Sequence, residues 1–189
     1  MGTISPPQPV KLFCGVLTRF EELFAEIKRA LEDSFGAVDA ESDTLKFDFT
    51  NYYEKTMGAG LLRRFYSFES LVMPDRIVEA KIRTNEIEAE FARRHACGTA
   101  ALGCARPINL DPGYLTLSKL TLASTKDYSH RIYLRSGIYV EVTLKFQSGR
   151  FLPWPWTYPD YQTPEYHKFF LLLRELYAEQ LRRLSTRYV

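Results

Sequence analysis

The chain has 189 residues, of which 46% are hydrophobic, 25% charged and 14% aromatic. That is the length of one domain and the balance of a globular protein, and it excludes a disordered chain, a collagen-like repeat and a coiled-coil rod. Lys and Arg number 25 against 23 Asp and Glu, a net charge of +2, too even for a protein whose main work is to hold nucleic acid by its phosphates.

Residues 1–9 carry three prolines and no periodicity and are expected to form a loose lead-in. Met1–Val10 has neither the basic nor the apolar stretch of a signal peptide, no apolar run approaches the ~18 residues that cross a bilayer, and three cysteines are an odd number. Together these predict a cytoplasmic protein with free thiols and no membrane segment. Val10–Leu17 reads as a buried strand. Thr18-Arg-Phe-Glu21 has the capping-box pattern, and Phe20, Leu23, Phe24, Ile27 and Leu31 follow as one apolar stripe of a helix that stops at Gly36. Leu45, Phe47 and Phe49 alternate with Lys46 and Asp48 as in a half-buried strand, Tyr52–Gly60 connects, and Leu61–Met73 reads as a further strand. Asp75 after Pro74 is placed to cap a second helix running to about Arg94, with the stripe Ile77, Ala80, Thr84, Ile87 and Phe91; residues 95–105 are expected to be a variable loop.

Pro107–Tyr114 holds two prolines and a glycine, which argues for a structured turn, with a strand following in Tyr114–Ala123. Arg131–Leu134 and Ile138–Phe146 form a hairpin about Ser136-Gly137, the second arm alternating strictly through Ile138, Val140, Val142, Leu144 and Phe146; Ser148-Gly149 turns into Arg150–Leu152. Pro153–Pro159 must be extended. Thr163, Pro164 and Glu165 start a last helix whose buried face is Phe169, Phe170, Leu173, Leu176 and Leu184. No linker and no long repeat divides the chain. The expected architecture is a single α+β domain over residues 1–189, with about three helices packed on a mostly antiparallel sheet.

Polar groups that a core does not need concentrate in residues 106–131. Asn109, Asp111, Tyr114, Lys119, Thr125, Lys126 and Arg131 are the expected ligand-binding residues, because cations and hydroxyls suit phosphate or carboxylate oxygens. Asp127, His130 and, in the hairpin, Glu141 are the candidate acid–base groups; Asp111 and Asp127 would orient the cations or carry a metal. The bland alternative is that Asn109 and Asp111 hold a turn while Lys119 and Lys126 are solvated. Thr84, polar on an apolar stripe, is expected to hydrogen-bond a neighbouring element in preference to lining a pocket. Glu141 becomes a buried carboxylate if its face of the hairpin is covered.

Other chemistries are weaker. Thr125-Lys126-Asp127 differs from a guanine-reading Asn/Thr-Lys-x-Asp motif, and no Gly-x-x-x-x-Gly-Lys-Ser/Thr loop exists; Met57-Gly-Ala-Gly is no substitute, so a Ras-like GTPase is excluded. His95, Cys97 and Cys104 lack zinc-site spacing, and no dedicated metal site is expected, although carboxylates could share Mg²⁺ with a phosphate. Cys14, in an apolar strand, should be inert. Arg174, Arg182, Arg183 and Arg187 of the last helix are interrupted by Glu175 and Glu179, an incomplete face for RNA. Two functions are therefore expected in competition. One is a protein, enzymatic or not, that binds a phosphorylated or anionic, nucleotide-like small molecule at the 106–131 cluster. The other is a non-catalytic protein-interaction module that uses the Trp154–Tyr161 aromatic segment and the last helix.

Val10-Lys-Leu-Phe, Phe47-Asp-Phe-Thr-Asn-Tyr-Tyr53, Asn109-Leu-Asp-Pro-Gly-Tyr-Leu-Thr-Leu-Ser-Lys119, Ala123–Tyr133, Gly137–Thr143 and Trp156-Thr-Tyr-Pro-Asp-Tyr161 together resemble the prokaryotic domain of unknown function 4416 family over nearly the whole chain. The resemblance implies a small bacterial or archaeal protein; some members carry the label "GTP-binding protein", for which this chain lacks the phosphate loop. A looser likeness is to the two-histidine phosphoesterase fold, but Tyr114-Leu-Thr-Leu117 has tyrosine where that histidine would stand and the first half of the chain has none, so that reaction is disfavoured.

Overall fold

A computed structural model of the chain describes residues 2–95 and 104–186; Cys97, Arg187 and most of the expected 95–105 loop lie outside them. The described residues build an α+β domain around a nine-stranded sheet. Its strands are β1 (Val10–Thr18), β2 (Val38–Glu41), β3 (Leu45–Phe47), β4 (Leu61–Val72), β5 (Ile108–Leu115), β6 (Lys119–Ser124), β7 (Ile132–Arg135), β8 (Ile138–Gln147) and β9 (Arg150–Pro153). Their order is β2-β4-β1-β5-β6-β8-β7, with β3 also on β4 and β9 also on β8, and every pairing is antiparallel. The helices are α1 (Phe24–Phe35), α2 (Glu54–Met57), α3 (Ile77–Arg94) and α4 (Pro164–Thr186). Among the described residues no helix is long and apolar enough to cross a membrane.

Period-two alternation sends β1 to two cores at once, which is why all nine of its residues are buried. Leu12, Cys14 and Val16 join Tyr66, Phe68, Ile108 and Leu110 beneath α1 and α3. Phe13 joins Phe65, Leu115, Leu120, Leu122 and Leu144 beneath α4, which contributes Tyr166, Phe169, Phe170, Leu173 and Tyr177. The result is three layers, helix–sheet–helix. The β7–β8 hairpin turns on Ser136 and Gly137, both at positive φ (55° and 75°), the handed turn that matches strand twist.

The sheet forks on one side of its centre, and the fork makes the site. β5 pairs with β1 along its whole length, from Ile108 opposite Thr18 to Leu115 opposite Lys11. It pairs with β6 only through Gly113, Tyr114 and Leu115, while β6 stays with β8 out to Ser124. Beyond Gly113 the two strands therefore part. The missing strand partner is replaced from α3: Lys81 Nζ donates to Leu110 O (2.8 Å) and Glu88 Oε1 accepts from Leu110 N (2.7 Å). Pro112 shares Leu110's backbone direction by the period of two, so its absent N–H falls in the fork, where no ladder bond is lost.

Five local expectations are corrected. Pro107–Tyr114 is not a turn but mostly β5, because prolines in a strand are tolerated at a one-sided edge and the fork supplies one. The expected Tyr114–Ala123 strand is divided between the end of β5 and β6 by a turn in which Thr116 N donates to Lys119 O. Thr18 does not cap α1: it ends β1, its hydroxyl donates to Pro107 O (2.8 Å), and a 3-10 turn over Glu21–Leu23 precedes the helix. Asp75 likewise makes no side-chain cap, lying in a 3-10 turn before α3. Thr84 bonds back to Lys81 O of its own helix (3.0 Å) rather than to a neighbour.

Candidate functional site

The fork opens into a cavity of about 440 Å³, within the size range of small-molecule sites. Its buried wall is set by register. Leu17 lies opposite both Arg63 and Asn109, and Gly15 opposite both Phe65 and Asp111, so Arg63, Asn109 and Asp111 stand on one face of three adjacent strands. A Cβ at Gly15 would lie 2.9 Å from Arg63 Nη1; glycine there leaves room for the guanidinium to cross β1 and reach Asp111.

Arg63, whose side chain is 2% exposed, holds Asp111 Oδ2 at 3.3 Å and Asp160 Oδ2 at 3.8 Å. Asn109 Nδ2 also donates to Asp111 Oδ2 (2.7 Å), Arg106 donates to Asn109 Oδ1, and Arg106 Nη2 donates to Glu88 Oε2 at 2.6 Å. The chain of partners thus runs from Asp160 to Glu88 across the buried wall. Burial pushes the Asp111 carboxyl up, but Arg63 and Lys81 outweigh it and hold it below its ordinary value. For Asp160 and Glu88 burial wins, and both carboxyls are raised despite their cations. Tyr161 lines the cavity at 3% exposure, and its hydroxyl has no hydrogen-bond partner among the described residues.

The rim is built differently. At the end of β6, Lys126 N donates to Ser124 Oγ (3.1 Å), a turn that brings Ser124, Thr125 and Lys126 to the cavity. Lys126 Nζ donates to Tyr52 Oη (2.7 Å) and lies 4.4 Å from its ring centroid, and this contact lowers the Tyr52 pKa. Arg131 locks the turn, donating to Ser124 Oγ (2.8 Å), Lys126 O (3.1 Å) and Tyr158 Oη (3.3 Å) as well as to Glu141 Oε2 (2.7 Å). Tyr52, Tyr128 and Tyr158 line the mouth while 63%, 53% and 48% exposed.

Behind the rim, His130 Nε2 lies 3.1 Å from Glu141 Oε2, and Thr143 Oγ1 donates to Oε1 (3.2 Å). His130 stacks between Tyr128 and Trp156 at 6.0 and 5.5 Å, and Trp156 stacks on Trp154 at 5.3 Å. Trp156 Nε1 donates to Val142 O (3.1 Å), so the Trp154–Tyr161 segment packs onto β8 and delivers Tyr158, Asp160 and Tyr161 to the cavity.

Of the residues singled out from sequence, Asn109, Asp111, Thr125, Lys126, Arg131 and Glu141 line this cavity, and His130 reaches it through Glu141. Tyr114, Lys119 and Asp127 do not. Tyr114 packs half-buried against the α1/α3 core, Lys119 starts β6 opposite Lys145, and Asp127 is exposed in the β6–β7 loop. Sequence reasoning missed Tyr52, Tyr53, Arg63, Lys81, Asn85, Arg106 and Asp160. A signal existed for Arg63: it shares the period-two face of Leu61 and Phe65, where a charge must be buried and paired. Among the described residues no three of His, Cys, Asp and Glu are grouped so as to hold a metal ion.

The family model "Domain of unknown function (DUF4416)" matches residues 8–177, and the chain belongs to that family. No curated protein and no solved structure matches it.

Proposed function

We propose that this member of the DUF4416 family binds a phosphorylated or otherwise anionic, nucleotide-like small molecule in the forked cavity, with the anionic group at the Ser124–Lys126 turn. The observation that carries the reading is the pairing at the rim of an exposed cation with exposed rings. Lys126 faces the cavity and, among the described residues, forms no ion pair with a carboxylate, whereas Arg63, Arg106 and Arg131 are each held by one. Exposed tyrosines around a concave site supply stacking area for a planar group. Arg131 serves by fixing the turn and by adding its charge behind it. Any Mg²⁺ would be shared with the ligand's oxygens rather than held by the chain alone.

The competing reading, a docking module built on Trp154–Tyr161, is less favoured because both tryptophans are engaged within the chain. A thermal-shift series with nucleoside mono-, di- and triphosphates and inorganic phosphate, with and without Mg²⁺, tests the proposal. Ligand at about a hundred times Kd stabilises by roughly 2.7 kcal/mol, a rise of about 5–10 °C for a chain of this size. Lys126→Ala should abolish that rise while leaving the unliganded Tm almost unchanged, since the residue is exposed. A flat series with the wild-type protein would overturn the proposal and favour a search for a protein partner.

A further inference from the structure

We infer that the ligand's ring enters the fork first, its N–H-bearing edge received by Asp111 and Asn85, while the anionic group stays outside at the rim; this rests on the proposed function and adds an orientation and two specificity-determining residues. The buried wall is unsuited to an anion. Asp111 and Asp160 both face the cavity there, and the cations beside them are engaged: Arg63 with both carboxylates, Lys81 with Leu110 O, and Arg106 with Glu88 and Asn109. A fixed carboxylate at the closed end of a cavity repels phosphate and attracts hydrogen-bond donors.

Asp111 is held for that task. Both of its bonds, from Arg63 Nη1 and Asn109 Nδ2, fall on Oδ2, so the side chain is oriented while Oδ1 carries no hydrogen bond from the described residues. Arg63 and Lys81 keep it ionised against its burial, and an ionised carboxylate only accepts.

The other wall groups are consistent with a polar ring edge. Asn85 projects from α3, lines the cavity, and its amide has no hydrogen-bond partner among the described residues. A free amide offers a donor and an acceptor side by side, the pattern that reads a ring edge bidentately. The Tyr161 hydroxyl is buried at the cavity and has no hydrogen-bond partner among the described residues, where buried polar atoms are ordinarily paired. Phe47, Tyr53 and Leu122 complete an apolar wall, which favours a flat ring over a fully hydroxylated sugar. The cations inside are already bonded to the chain while Lys126 at the rim forms no ion pair among the described residues, and that difference sets the direction.

The experiment measures Kd by calorimetry for adenosine and uridine monophosphates, ribose 5-phosphate and inorganic phosphate, on wild type, Asp111→Asn and Asn85→Ala. The ring-bearing monophosphates should bind at least about tenfold tighter than ribose 5-phosphate, the size of one charged hydrogen bond. Each variant should remove most of that advantage; Asn85→Ala should leave ribose 5-phosphate affinity unchanged, and Asp111→Asn, which removes a repelling charge, should not weaken it. Asp111→Asn risks the fold because Arg63 loses a partner; Asn85→Ala does not, since it breaks no bond, and its result stands alone. If ribose 5-phosphate binds as tightly as the nucleotides, or if Asn85→Ala leaves the ring preference intact, the inference is overturned and the anionic site survives. Absence of binding by all four probes overturns both.

Discussion

Glu141 is 3% exposed, and a carboxylate so buried persists only because Arg131, His130 and Thr143 converge on it. The pairing also fixes the Arg131 guanidinium, 4% exposed, and through it the Ser124–Lys126 turn. Glu141→Ala should therefore cost about 3–5 kcal/mol, because it strands a buried cation. Urea denaturation reads this directly, and a loss below about 1 kcal/mol would show the pair to be dispensable. Asp160 carries the opposite lesson. Burial raises its carboxyl above the ordinary 3.8 in spite of Arg63. A carboxyl with a raised folded-state value contributes stability that is whole below its unfolded value and is lost as the pH rises through the folded one. Asp160→Asn should thus gain on wild type as the pH climbs from about 3.5 to neutrality; a stability difference independent of pH would contradict the assignment. Residue types in a polar stretch pointed to Lys126 and Arg131, yet nothing local marks Lys81, which serves a carbonyl 29 positions away.

At the scale of elements, an apolar run was enough for β1 and strict alternation for β8; α4 was legible through Phe169, Phe170 and Leu173, but Tyr166 and Tyr177 complete its buried face where Leu176 and Leu184 were expected. Periodicity alone is not enough everywhere. It failed at β5 because Pro112 and Gly113 each read as strand breakers, and their reasons are tertiary. Pro112 needs no donor in the fork, and Gly113 is where β5 comes closest to β6: a Cβ there would stand 2.5 Å from Thr121 O and 2.6 Å from Phe13 Cζ. Gly113→Ala must push two strands apart at the root of the fork, so a loss of about 1–3 kcal/mol is expected. That corresponds to a Tm roughly 2–12 °C lower, and an unchanged Tm would mean that the strands yield at this point. Lys81 and Glu88 do for Leu110 what β6 does for Tyr114. The cavity is therefore a consequence of strand divergence rather than a loop feature, which explains why the loop-rich 106–131 stretch located only part of it.

Across the whole molecule, elements distant in sequence meet at one place: the loop after β3 brings Tyr52, β4 brings Arg63, α3 brings Lys81 and Asn85, the turn after β6 brings Lys126, and the segment after β9 brings Asp160. Two of these contributors, the Phe47–Tyr53 and Trp156–Tyr161 segments, are among those that carry the family resemblance, so the sequence held a sign of their importance without a sign of their contact. Convergence of this kind is expected of a site built on a rigid sheet with its specificity on the connections. If one ligand occupies the fork, an amide chemical-shift titration of the intact protein with a nucleoside monophosphate will report it. Shifts concentrated at Ser124–Lys126, Asn85 and Asp160–Tyr161 are predicted. Shifts confined to α4 or the β7 edge, or none at millimolar ligand, would contradict it.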